Sequence, residues 1–171
     1  MRSFRLYLYD VFVRLLPETR FWNLKSRLLR WCGAKVGLNV RISSSAIFLG
    51  DGRLEIGNDV WVGSGCRIMP VGDSSITIGP CCDIGPEVMI ITGSHEIDIN
   101  GGHIAGKGKS ASVKIGDGCW LGARATILPG VTLASKTLVA AGAVVAKSVG
   151  LEKSMVAGVP AIIVKTYTEV Q

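Results

Sequence analysis

Aliphatic side chains recur at every sixth position through residues 113–148 of the chain. A helix repeats near 3.6 residues and a strand repeats at 2, so one long element of either kind does not produce this period. A short strand followed by a turn, repeated, does produce it, and three such units make one coil of a parallel β-helix. The pattern predicts an all-β solenoid with aliphatic residues pointing into a narrow prism. These residues are Ile115, Leu121, Ile127, Leu133, Val139 and Val145.

A second inward position lies four residues after each aliphatic residue, and a narrow prism requires it to be small. In this stretch it holds Cys119, Ala125, Val131, Thr137 and Ala143. The same pattern appears earlier in three shorter phases. Their aliphatic residues are Val36, Ile42, Phe48 and Leu54, then Ile56, Val62 and Ile68, then Ile78, Ile84 and Ile90. Slips at 54–56 and 68–78 predict bulges, and the jump from Ile90 to Val113 predicts a loop.

Glycine follows the aliphatic residue at many of the predicted corners, as at Gly116 and Gly122. Because glycine adopts positive φ without a steric penalty, we expect the corners to use it for that reason. The chain has 22 glycines and only 6% aromatic residues, which fits a core of small aliphatic side chains.

The five cysteines predict no disulfide framework and no zinc ribbon, because their number is odd and no C-x-x-C spacing occurs. Cys66, Cys82 and Cys119 fall on the small inward positions, so we interpret them as core residues with no metal or redox role. Free thiols suit a reducing compartment, which predicts a cytoplasmic protein.

Residues 1–32 form a basic head that differs from the repeat region at 33–171. Residues 1–30 carry seven of the 19 Lys and Arg residues and two of the 13 acidic residues, which leaves the body nearly neutral. The body's balance gives no indication of nucleic-acid binding. Apolar spacing on either side of Pro17 predicts two short helices, the second over about 20–31.

The second predicted helix is amphipathic and basic, and this leaves two interpretations open. Residues 1–31 either lie on an anionic membrane surface, at the inner face, or pack on the body or a neighbouring subunit. The apolar run 4–16 contains three charged residues and is too short to span a bilayer, and no signal-peptide cleavage site follows it.

The segment 92–112 breaks the repeat, is polar and contains both histidines, His95 and His103. Polar loops that project from a rigid scaffold commonly carry function. We therefore expect a protruding loop near 92–112 to contribute to the site.

Residues 33–166 resemble the hexapeptide-repeat acyltransferases, and within them the maltose/galactoside and polysaccharide O-acetyltransferase group. The resemblance is carried by tandem I-G-x-x-x-x units, T-G-S-H, I-G-D-G-C-W-L-G, I-L-P-G-V-T, A-A-G-A-V-V-A-K and A-G-V-P-A. It implies a left-handed parallel β-helix packed as a homotrimer with active sites between subunits. It also implies transfer of an acetyl group from acetyl-CoA to a sugar hydroxyl, in cell-surface polysaccharide biosynthesis, without a metal.

His95 matches the catalytic position of this family, where it removes the proton of the attacking hydroxyl. Imidazole suits this role because its unperturbed pKa is about 6.5. A second group is expected to fix its tautomer. Glu96 and a backbone carbonyl are both candidates, and Asp98 is a weaker one. His103 matches no motif.

The resemblance also implies acceptor and donor residues. Asp73 matches an aspartate that holds acceptor hydroxyls, whereas Gly65 stands where the family has an asparagine, which argues against a simple galactoside or maltose acceptor. Ile162 replaces a family arginine that contacts a CoA phosphate. Ala123 is expected to stabilise the oxyanion through its backbone N–H. The matching CoA-contact positions are Trp120, Ala123, Ala141, Gly142 and Lys147, and Lys165 is a further phosphate candidate.

Four alternatives bear on this interpretation. A γ-type carbonic anhydrase needs three histidines, and this chain has two. A serine acetyltransferase has a larger helical head and a different loop. N-acetylation of an amino sugar is the closest enzymatic alternative, and a non-catalytic scaffold subunit is the alternative outside the enzymes.

Overall fold

A computed structural model describes residues 1 and 3–168, in which two helices precede a parallel β-solenoid of about five coils. The helices are α1 (Ser3–Arg14) and α2 (Trp22–Trp31). The first three coils contain β1 (Lys35–Val36), β2 (Arg41–Ile42), β3 (Ile47–Phe48), β4 (Arg53–Ile56), β5 (Trp61–Val62), β6 (Arg67–Met69), β7 (Ser75–Ile78), β8 (Asp83–Ile84) and β9 (Met89–Ile91). The rest are β10 (Gly93–Ile97), β11 (Ala105–Ser110), β12 (Val113–Ile115), β13 (Trp120–Leu121), β14 (Thr126–Ile127), β15 (Thr132–Leu133), β16 (Leu138–Val139), β17 (Val144–Val145), β18 (Ser154–Gly158) and β19 (Ala161–Thr166).

The strands stack into the three faces of a prism, which confirms the predicted solenoid and is consistent with a left-handed β-helix. The first face is β1-β4-β7-β12-β15 and the third is β3-β6-β9-β14-β17. The second face runs from β2 through β5, β8, β13 and β16 to β18, with β19 paired antiparallel at its edge. The hairpin β10–β11 forms a separate two-stranded sheet.

The interior of the prism holds the positions that the six-residue period predicts. The aliphatic residues from Ile115 to Val145 are at most 1% exposed, and the small position of each repeat is also buried. The small position closes the corner as well, because its side chain reaches a carbonyl of a neighbouring turn. The Cys66 thiol donates to the Gly85 carbonyl at 3.0 Å, and the Cys82 thiol donates to Gly116 at 3.1 Å.

The corner glycines serve a different purpose from the expected one. Gly116 and Gly122 do not have positive φ. A Cβ on Gly116 would lie 2.6 Å from the Ser135 nitrogen, and one on Gly122 would lie 2.6 Å from the Ala141 nitrogen, so close stacking of coils excludes a side chain. Positive φ falls two residues later in each repeat, where Arg124 (61°) adopts it as well as glycine.

Both helices pack on the first coil, α1 against β3 and α2 against β1 and β2. Leu6, Tyr9, Val13, Leu29 and Cys32 belong to the same core cluster as the prism interior. Of the two interpretations of the head, the structure shows packing on the body. The division into units at residue 32 stays a prediction, because the two parts share this core.

The basic face of α2 is partly directed inward. Lys25 is fully buried, and its ammonium donates to the carbonyls of Pro17 (3.2 Å), Glu18 (2.9 Å) and Ile42 (3.1 Å). Arg30 donates to the Val36 carbonyl at 2.8 Å. These cations therefore stabilise the junction between head and coil.

The apolar surface of the head is on α1. Phe4, Tyr7, Leu8, Val11, Phe12 and Leu15 are all exposed, at the spacing that places residues along one side of a helix. None of the helices in the described part of the chain is long and apolar enough to cross a membrane.

Candidate active site

The hairpin β10–β11 projects from the corner between the third and first faces, because it is inserted between β9 and β12. It is the loop that the break in the repeat predicts, and it is ordered by antiparallel pairing. His95 pairs with Gly108 and Ile97 pairs with Ala105, so β10 advances two residues where β11 advances three. The extra residue makes a bulge in β11, a feature that is common beside active sites.

The bulge contains Gly106, and the Gly106 carbonyl lies 2.9 Å from Nδ1 of His95. A carbonyl accepts only, so Nδ1 carries the proton and Nε2 is left unprotonated. An imidazole in this tautomer accepts a proton through Nε2.

Of the two candidates for fixing the tautomer, the backbone carbonyl has the contact with His95. Within the described residues, Glu96 makes no hydrogen bond to the ring, and its role stays a prediction. The Asp98 carboxylate instead accepts from the backbone N–H groups of Asn100 (3.0 Å) and Gly101 (2.8 Å), which closes the tip of the hairpin. His103 is exposed near that tip.

His95 and Asp73 line the same cleft, which has a volume of about 510 Å³. The cleft lies between the hairpin and the loop that joins β6 to β7, at the same corner of the prism. Arg53 holds this loop by donating to the Asp73 carbonyl oxygen at 2.9 Å. The Asp73 carboxylate makes no hydrogen bond or ion pair with another described residue, so it is free to bind a ligand.

A second groove, of about 540 Å³, lies at the corner between the second and third faces. It brings together three of the expected donor residues, Trp120, Ala123 and Ala141. Its lining is almost entirely apolar, and the Trp120 side chain is 57% exposed there. An apolar groove with an exposed indole suits a long, flexible thioester arm.

The groove also contains two residues that the repeat pattern did not indicate, Met155 and Tyr167. They come from β18 and from the segment after β19, beyond the period of six. Lys165 lies 5.0 Å from the centroid of the Tyr167 ring, which places one expected phosphate contact at the edge of the groove.

The remaining donor candidates have separate positions. The N–H of Gly142 donates to the Ala123 carbonyl at 2.8 Å, so these residues stack in successive coils. The Ala123 N–H finds no acceptor among the described residues. The corner residue Ser64 shares this property, so it is the position in the groove that distinguishes Ala123. Lys147 follows β17 at the corner between the third and first faces, and it does not line the groove.

An exposed ion pair borders the groove, and sequence reasoning missed it. Arg124 Nε lies 2.7 Å from a Glu87 carboxylate oxygen, and these residues follow Ala123 and Pro86 at that corner. The guanidinium donates to the carboxylate and lowers the Glu87 pKa. The two residues are 37 apart in the chain, so only the stacking of coils brings them together.

Comparison with known proteins agrees with this architecture. The family described as bacterial transferase hexapeptide (six repeats) matches residues 112–147. The putative colanic acid biosynthesis acetyltransferase WcaF of Escherichia coli K12 is 34% identical over 156 residues, which cover 88% of this chain and 79% of that protein. The chain belongs to the hexapeptide-repeat acetyltransferases.

Solved structures of this family share the fold over nearly the whole chain. A maltose O-acetyltransferase from Clostridium difficile 630 superposes with a TM-score of 0.71 at 23% identity, covering 98% of this chain and 87% of that one. AntD, an N-acyltransferase from Bacillus cereus in complex with dTDP and coenzyme A, gives 0.69 at 18% identity, covering 90% and 92%. The hexapeptide fold thus accommodates acyl transfer to oxygen and to nitrogen.

Proposed function

We propose that this acetyltransferase transfers the acetyl group of acetyl-CoA to a saccharide hydroxyl, with His95 as the general base. The observation that carries the proposal is the contact between His95 Nδ1 and the Gly106 carbonyl, in a cleft that also contains Asp73. It supplies an imidazole in the tautomer that a base requires, beside a free carboxylate that suits sugar hydroxyls.

In this reaction Nε2 takes the hydroxyl proton as the oxygen attacks the thioester carbonyl. The carbonyl becomes an oxyanion, which the Ala123 N–H stabilises as the charge develops. The tetrahedral intermediate then releases coenzyme A, and the imidazolium returns its proton to the departing sulfur. Atoms and charge balance without a metal or a covalent acyl-enzyme.

The two halves of this site lie on different corners of one protomer. His95 and Asp73 lie at the corner between the third and first faces, and the groove with Trp120 and Ala123 lies at the corner between the second and third. A homotrimer resolves the separation, because the hairpin corner of one subunit then faces the donor groove of the next. Acetyl-CoA occupies that interface, with its phosphates near Lys165 and Lys147 and its arm against Trp120, Ala141 and Gly142.

The acceptor is proposed to be a saccharide of cell-surface polysaccharide biosynthesis, modified in the cytoplasm. WcaF, the relative that covers most of this chain, carries colanic acid biosynthesis in its name. Gly65 leaves that position without a side-chain amide, which favours an acceptor other than a simple galactoside. Glu96 is a further candidate for orienting His95 or the acceptor.

The O-transfer proposal is tested with purified wild-type protein, acetyl-CoA and a matched panel of sugars and amino sugars, measuring coenzyme A release and the product by mass spectrometry. Ester products from hydroxyl acceptors support it. Amide products alone would transfer the chain to the N-acetylating class, to which the similarity with AntD gives weight. Coenzyme A binding without any product, including from lipid-linked acceptors, would indicate a scaffold subunit.

We also propose that the head brings the enzyme to the inner membrane face, through the apolar side of α1. Leu8, Val11 and Leu15 lie on that exposed side. Because Lys25 and Arg30 bind the body, the attraction to anionic lipid falls to exposed cations such as Arg20 and Arg27. Leu8→Asp with Leu15→Asp is expected to abolish cosedimentation with anionic vesicles and to preserve transfer. Unchanged cosedimentation, or a change in oligomeric mass, would contradict this and indicate a subunit contact instead.

A further inference from the structure

Gly108 is a glycine that the fold of the hairpin does not require. It lies within β11, and its φ is not positive. A Cβ built on Gly108 meets no atom within 4 Å. Glycine weakens a strand and leaves no side chain to pack, so an unconstrained glycine inside a strand marks a place where a ligand or another backbone approaches closely.

The other glycines of β10 and β11 have local reasons. A Cβ on Gly106 would lie 2.8 Å from the Asp98 Cβ, and one on Gly93 would lie 2.9 Å from a Val71 methyl. Packing within the protein therefore excludes side chains at Gly106 and Gly93. Nothing in the described protein excludes one at Gly108.

Gly108 lies directly opposite His95 in the antiparallel register. Directly opposed residues have Cβ atoms about 5 Å apart on the same face of the sheet. A side chain at position 108 would therefore stand next to the imidazole, in the cleft that Gly108 lines together with His95 and Asp73.

We propose that Gly108 determines acceptor specificity, because its missing side chain leaves the surface on which the acceptor saccharide lies beside His95. A bare strand provides a flat area large enough for a sugar ring. This inference rests on the proposed function, since it assigns the cleft to the acceptor, and it extends that function by making ring size beside the reactive hydroxyl the selected property.

The test compares Gly108→Ala and Gly108→Val with Gly102→Ala, which also adds a methyl group in open space on the hairpin, but outside the cleft. All three variants are expected to fold, because the added Cβ meets nothing. The KM for the acceptor should rise about tenfold in Gly108→Ala and further in Gly108→Val, since one lost contact of about 1.4 kcal/mol is tenfold. The KM for acetyl-CoA and the oligomeric mass should not change, and Gly102→Ala should behave as wild type.

An unchanged acceptor KM in Gly108→Val would overturn the inference while leaving the role of His95 intact. A changed oligomeric mass would overturn it too, because the glycine would then admit a neighbouring subunit. If His95→Ala retained full activity, the proposed function would fail instead, so the two failures are distinguishable. A small acceptor such as a monosaccharide should lose less than an oligosaccharide, and the reverse order would also contradict the inference.

Discussion

Nδ1 of His95 lies 2.9 Å from the carbonyl oxygen of Gly106, across the β10–β11 hairpin. The bulge in β11 makes this contact, because it inserts an extra residue opposite Glu96. A strand irregularity thereby takes the role that a carboxylate has in many catalytic dyads, and it fixes the tautomer without adding a charge.

Mixed trimers should show whether each site is shared between subunits. His95→Ala removes the base and Trp120→Ala removes a wall of the donor groove, so each homotrimer should lose most of its activity. Coexpression should restore part of it, because some interfaces then combine an intact His95 corner with an intact groove. Purified mixed trimers with activity no higher than either parent would contradict a shared site.

Lys25→Met should destabilise the protein by about 2 kcal/mol, the scale of hydrogen bonds to a charged group. The substitution leaves the carbonyls of Pro17, Glu18 and Ile42 without their donor inside the structure. Arg27→Met on the exposed side of α2 is the matched control and should change stability little. Thermal unfolding checks both, and equal effects would contradict the anchoring role of Lys25.

Gly116→Ala should destabilise the fold by about 1–3 kcal/mol, the usual cost of overpacking. The new methyl group would meet the Ser135 nitrogen at 2.6 Å and the Leu133 oxygen at 2.8 Å, so successive coils would have to separate. Gly150→Ala is the control, since a Cβ there meets nothing within 4 Å. Denaturation in urea measures the difference, and a harmless Gly116→Ala would show that the coils are less tightly stacked.

Stability should decline above about pH 9, partly through Cys66. Burial raises the pKa of this thiol from 9.0 to about 11. A raised folded-state pKa means that the contribution is complete below the unfolded value and is lost as pH rises through the folded value. Between pH 9 and 11 the wild type should therefore lose more unfolding free energy than Cys66→Ala, measured by urea denaturation. Parallel losses in both proteins would show that Cys66 does not contribute.

The period of six predicted the interior well, because every coil imposes the same two inward positions. Sequence patterns gave the wrong reason for Gly116, since the steric limit comes from the neighbouring coil and not from the local backbone. They also treated Lys25 as part of a basic surface, whereas the junction with β2 offers it three carbonyls. Met155 and Tyr167 were missed because they reach the donor groove after the repeat has ended. Contacts between distant segments are not encoded in local spacing.

The account depends most directly on His95, so the decisive measurement is the turnover of His95→Ala with acetyl-CoA and a productive acceptor, beside His103→Ala. General-base catalysis contributes about 10²–10⁴-fold, so turnover of His95→Ala should fall at least about a hundredfold while coenzyme A binding persists. His103→Ala should retain wild-type turnover. If His95→Ala remained within about fivefold of wild type, well below the usual contribution of a general base, the cleft would not be the catalytic site.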